Sequence, residues 1–121
     1  MDTEDYTYVV IIGEVNDERR ELKTPDIKRN NKAFVKRAVA INYTKVTKCI
    51  RIGVVGKDSK FMLLGECKDL EKLMPCEVKD IRLLEYECIV ARFEGSQITE
   101  ELILRVEGEQ CDRRAKDLPS R

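Results

Sequence analysis

Histidine and tryptophan are absent from this 121-residue chain, and glycine and proline are scarce, at six and three. Without histidine the chain lacks the side chain that most often moves protons near neutral pH, and a cysteine nucleophile would lack its usual imidazole partner. No G-x-S-x-G, glycine-rich phosphate loop or H-E-x-x-H motif occurs either, so no enzymatic activity is expected. The five cysteines (Cys49, Cys67, Cys76, Cys88 and Cys111) include no C-x-x-C pair. An odd, widely spaced set argues against a zinc knuckle and against a secreted disulfide framework, so small buried thiols in a reducing compartment are expected. Neither a metal nor a cofactor is called for. No apolar run approaches the roughly 18 residues of a membrane helix, and the start, Met1-Asp2-Thr3-Glu4-Asp5, is acidic where a signal peptide would be basic. An intracellular chain without membrane contact is expected. Net charge is zero, which excludes the general attraction to polyanions that a basic protein has.

What is present is ample for one domain. Hydrophobic residues make up 42% and charged residues 38%, enough to build one core under a solvated surface. Residues 1–110 read as that domain, and 111–121, with Arg113, Arg114, Lys116 and Pro119, read as a flexible tail. Tyr6 to Val15 is rich in aromatic and β-branched residues and predicts a central strand, with Gly13 marking either a bend or the strand's end. Leu22 to Lys32 mixes Lys23, Lys28, Arg29 and Lys32 with Pro25, Asp26, Asn30 and Asn31, the composition of an exposed loop. Ala33 to Tyr43 fits a strand and also a helical face capped by Asn31; the strand is the reading adopted. In Lys48 to Val55, Ile50, Ile52 and Val54 face one way and Arg51 and Gly53 the other. Gly56-Lys57-Asp58-Ser59 then turns the chain into Phe61-Met62-Leu63-Leu64, which Gly65 should end.

The stretch from Cys67 to Glu109 predicts a short helix, a long strand, a loop and a returning strand. Asp69 to Met74 has an acidic start and helical apolar spacing before Pro75. Val78 to Phe93 contains no Gly or Pro, and Leu102, Leu104 and Val106 alternate with Ile103, Arg105 and Glu107. With residues 33–55 taken as one long bent strand, the expected fold is mainly β: a five-stranded oligonucleotide-binding (OB) barrel with a short helix between strands 3 and 4.

Charge is uneven along the chain. Residues 18–48 carry ten Lys/Arg against Glu18, Glu21 and Asp26, while residues 1–17 contain five acids and no base. Aromatic residues interleave with the basic ones: Phe34 with Lys36 and Arg37, Tyr43 with Lys45 and Lys48, Phe61 beside Lys60, and Phe93 beside Arg92. Single strands are held by such means, bases stacking on rings while cations follow phosphates. Phe61 and Phe93 read as packing groups, and the candidate nucleic-acid-binding residues are Tyr8, Lys28, Arg29, Lys36, Arg37, Tyr43, Lys45, Lys48, Arg51, Lys57 and Tyr86. For the cations a solvated sheet face is an equal alternative.

In the order of its elements the chain resembles the OB folds of telomere end-binding proteins, the protection-of-telomeres family among them. The likeness lies in a first strand ending Gly13-Glu14-Val15, a polar loop with Pro25, Leu70 to Pro75, Glu77 to Leu83, and a closing Leu102 to Gly108. The resemblance implies a non-catalytic, nuclear module that binds single-stranded DNA or RNA, telomeric DNA in particular. The alternative is a barrel of the same kind serving as a protein-interaction subunit of a telomere, replication or other genome-maintenance complex.

Overall fold

In a computed structural model of the chain, described for residues 3–12, 20–42, 47–71, 73–94 and 102–112, eight strands account for most of the described backbone. They are β1 (Thr3–Ile12), β2 (Glu21–Lys23), β3 (Asn31–Asn42), β4 (Thr47–Val55), β5 (Phe61–Leu70), β6 (Cys76–Leu83), β7 (Cys88–Glu94) and β8 (Leu102–Asp112). Side chains of β1 and of 109–112 lie outside the description. All pairings are antiparallel and fall into two four-stranded sheets, β1-β8-β3-β6 and β2-β7-β4-β5. Successive strands alternate between the sheets except at the β4–β5 hairpin, the order of two interleaved Greek keys, so the architecture is a jelly-roll sandwich.

Period-2 patterning sets what is buried. Ile50, Ile52 and Val54 of β4 and Leu102, Leu104 and Val106 of β8 face the interior, as their alternation predicts. Phe93, Ile89 and Ala91 of β7 join them from one sheet, and Ala38, Ala40, Ile81 and Leu83 from the other. Each large side chain so buried contributes about 1.5–3 kcal/mol. Gly108 of β8 sits where a Cβ would collide with the Phe34 carbonyl oxygen and Val35 Cα, so only glycine lets β3 pass this close beside its own bulge.

The mainly β expectation holds, and its finer form does not. There are eight strands rather than five, two open sheets rather than a closed barrel, and no helix among the described residues. Asp69 and Leu70 end β5 instead of starting a helix: Leu70 is buried opposite Thr47, and positive φ at Asp69 (55°) and Leu73 (68°) is incompatible with a right-handed turn. The segment 33–55 is two strands in opposite sheets. Nor is 78–93 continuous, because residues 84–87 turn between β6 and β7. That turn uses no glycine; Tyr86 takes positive φ (67°) and the Glu87 carboxylate accepts from the Leu84 N–H at 2.7 Å. Gly65 lies inside β5 rather than ending it, and β2 forms within the expected loop. The strand reading of Ala33–Tyr43 is met by β3 up to Asn42. β8 continues to Asp112, two residues past the expected domain boundary. The bend at Gly13 and the tail from Arg113 onward lie outside the described residues.

The cysteine expectation also changes. Cys67 of β5 and Cys76 of β6 form a disulfide that joins the edge strands of the two sheets. Cys49 and Cys88 are buried free thiols. A disulfide persists in oxidising surroundings, so cysteine usage no longer points to a reducing compartment.

Candidate functional site

The sequence-predicted binding residues whose side chains are described do not share one groove. Lys28, Arg29, Lys57 and Tyr86 meet at one end of the sandwich. There the segment after β2 is tied to the β6–β7 turn by Ile27 N–H to the Glu87 carbonyl (2.9 Å) and Tyr86 N–H to the Ile27 carbonyl (2.6 Å). Asn30 N–H donates to the Glu85 carboxylate at 2.7 Å. Lys57, from the β4–β5 turn, sets its ammonium 4.7 Å from the centre of the Tyr86 ring, a cation–π contact. Lys28 and Arg29 are exposed beside it. Lys36 and Arg37 lie elsewhere, on the outer face of β3, and Lys48 and Arg51 on β4. Tyr8 belongs to β1, and Tyr43 and Lys45 lie outside the described residues.

Two of these cations are committed to acids on neighbouring strands. Arg37 stands between Glu77 (3.6 Å) and Glu107 (3.5 Å). Arg51 reaches Glu66 at 2.6 Å and Glu94 at 3.1 Å. The hydrogen bond from Arg51 holds the Glu66 carboxyl below its ordinary range, and the same bond raises Arg51. Neutralised in this way, neither arginine offers the bare positive charge that a phosphate track requires. Phe61 is likewise occupied. Its ring lies over Gly53, where any Cβ would strike it, and the Arg92 guanidinium stands 4.1 Å from its centroid, held by Glu21 at 3.0 Å. Phe93 is fully buried, the packing role expected of it.

The largest departure from a sealed surface lies on β5. This strand is the last of its sheet, hydrogen-bonded to β4 on one side only among the described residues. Met62, Leu63 and Leu64 follow one another along it at 57, 50 and 40% exposure. Residue pairing jumps from Gly53–Leu63 to Ile52–Gly65, so Leu64 is the extra residue of a bulge. Leu73 and Met74, just beyond the strand, are also about half exposed. In the sequence this run reads only as the returning strand of a hairpin, and nothing short of its place in the sheet marks it as an edge. An edge of this kind, unpaired and apolar, can accept an added strand.

The free thiols are quiescent. Burial, then the neighbouring Asp26 carboxylate, pushes Cys88 up to about 11, and burial also raises Cys49. Both stay protonated at neutral pH and are poor nucleophiles. Among the described residues no group of His, Cys, Asp and Glu is arranged to hold a metal, and no helix is long and apolar enough to cross a membrane.

Neither a protein-family model nor a curated protein matches the chain. Solved structures similar to it include the Drosophila NLP-core, described for its pentamer formation and histone binding, at 14% identity and a TM-score of 0.45 over 88% of this chain and 98% of that one. The CBM4 structure aligns at 11% identity and a TM-score of 0.41, covering 85% and 82%. A chain of infectious bursal disease virus Gt strain aligns at 7% and 0.38, covering 89% and 32%. At these identities and scores none of the three carries an argument about this chain, and none is a telomere end-binding protein.

Proposed function

We propose that this chain is a non-catalytic protein-interaction module whose docking element is the β5 edge. The observation that carries the reading is the row Met62-Leu63-Leu64, three large apolar side chains exposed on a strand with one hydrogen-bonding side open among the described residues. Isolated edges are ordinarily blunted by charge or proline, and residues 61–65 contain neither. The cross-strand pairing of Arg37 and Arg51 with acids favours this reading over a polyanion-binding face. Leu63→Lys introduces a charge into the edge without touching the core. Partners recovered with the wild-type chain, then purified and titrated by calorimetry, should lose at least tenfold in affinity for this variant. Equal affinity for the two forms sinks the reading.

A second reading, single-stranded nucleic-acid binding, is favoured by the Lys57–Tyr86 contact beside Lys28 and Arg29. Its site is the end of the sandwich rather than a sheet face. Anisotropy titrations with short DNA and RNA strands at low and moderate salt test it. Binding should fall steeply with salt and weaken in Tyr86→Ala, and no binding at low salt removes it.

A further inference from the structure

The geometry points to a second copy of this chain as the occupant of the β5 edge, paired antiparallel through β5 about a two-fold axis; this rests on the reading of β5 as a docking element. An open strand edge presents backbone donors and acceptors in a row, and only another extended strand satisfies them in sequence. Charge then selects the occupant. The start of β5 is approached by Lys57, Asp58 and Lys60, a net of +1; at its end Glu66 is engaged by Arg51 and Lys68, and Asp69 and Glu71 just beyond leave a net of −2. Antiparallel pairing of two copies sets the basic start of each against the acidic end of the other, twice per dimer. A strand of uniform sign would meet repulsion at one end.

The apolar residues fit the same symmetry. Met62, Leu63 and Leu64 lie between the two charged ends, so a two-fold axis near them brings the two exposed rows together. The result extends the sheet β2-β7-β4-β5 from four strands to eight across the dimer. The bulge at Leu64 adds twist, which ordinarily discourages edge pairing. It leaves the exposed leucines uncovered, however, and burying them is the driving force. One strand pair with its flanks is a small interface, so dissociation on the order of micromolar is expected.

Sedimentation equilibrium of the purified chain, from about 1 to several hundred micromolar, tests this. The 14.0 kDa chain should pass reversibly to a dimer, with concentration-dependent hydrogen-exchange protection in 61–66. Leu63→Lys should remain monomeric with an unchanged thermal melt, and Lys60→Glu should weaken the dimer about tenfold and reverse its salt dependence, since added salt then screens a repulsion. A chain monomeric throughout overturns the self-pairing. So does a dimer that survives Leu63→Lys, and a dimer indifferent to Lys60→Glu overturns its antiparallel form. If the chain is monomeric yet Leu63→Lys still loses a purified partner, the self-pairing falls and β5 docking stands. If mass and partner affinity both ignore Leu63→Lys, both fall.

Discussion

β4 and β5 are hydrogen-bonded neighbours of similar apolar content, and their fates are opposite. In β4 six of nine residues are buried; in β5 only Leu70 of ten is. β4 is flanked by β7 and β5 and faces the other sheet, so Ile50, Ile52 and Val54 lose their water on every side. Among the described residues β5 has one neighbour, and Met62, Leu63 and Leu64 keep their water. Position within the sheet, rather than hydrophobicity, therefore decides which apolar residues stabilise the fold and which remain available to a partner.

The contrast breaks most sharply under truncation. Phe93→Ala on β7, which with β4 forms the buried interior of this sheet, should cost about 3–5 kcal/mol in urea unfolding, whereas Leu63→Ala on β5 should stay within about 0.5 kcal/mol for the monomer. Equal costs would mean that β5 is covered. Gly53→Ala, at the point where the two strands meet, should cost about 1–3 kcal/mol, since its Cβ runs into the Met62 carbonyl oxygen and the Phe61 ring. An alanine tolerated there would show that β5 can move off β4.

Alkali offers a subtler probe of the buried side. The Cys88 thiol is raised from an ordinary value near 9 to about 11, so folding favours its protonated form. The stabilisation is complete below about pH 9 and is lost as pH rises through about 11, on the order of 3 kcal/mol in all. Denaturant midpoints between pH 8 and 11 should fall, and Cys88→Ala should flatten the slope. The exposed side responds to acid instead. Glu66, held low by Arg51, contributes stability present above its unfolded value near 4 and lost as pH falls through the lower folded value. Being surface-exposed, the pair is worth little, and Arg51→Ala should shift the melt by no more than about 2–4 °C.

Much of the local structure was legible. The alternation in β4 and β8 placed their interior residues correctly, and the burial of Phe93 followed from its type. The end of β5 at Asp69–Leu70 was not legible and reads as the start of a helix, because the same apolar spacing suits a strand end whose Leu70 is drawn into the core opposite Thr47. The β6–β7 turn escaped notice because a glutamate side chain and a strained tyrosine do the work that Gly or Pro usually does. For the site, Lys57 and Tyr86 do meet, while Arg37 and Arg51 look free in the sequence and are held by acids from 15 to 70 residues away. Pairing across strands is non-local, and charge counted along the chain cannot register it.

Residue order alone fixed a β-rich chain with definite inward faces, since side-chain alternation is a property of each strand by itself. Only the tertiary fold settled that eight strands make two open sheets, that Cys67 meets Cys76, and that Met62, Leu63 and Leu64 lie at a border. Those outcomes depend on which strand lies beside which. A run of apolar residues has the same local preferences at the centre of a sheet and at its edge, and differs only in how many neighbours remove it from water.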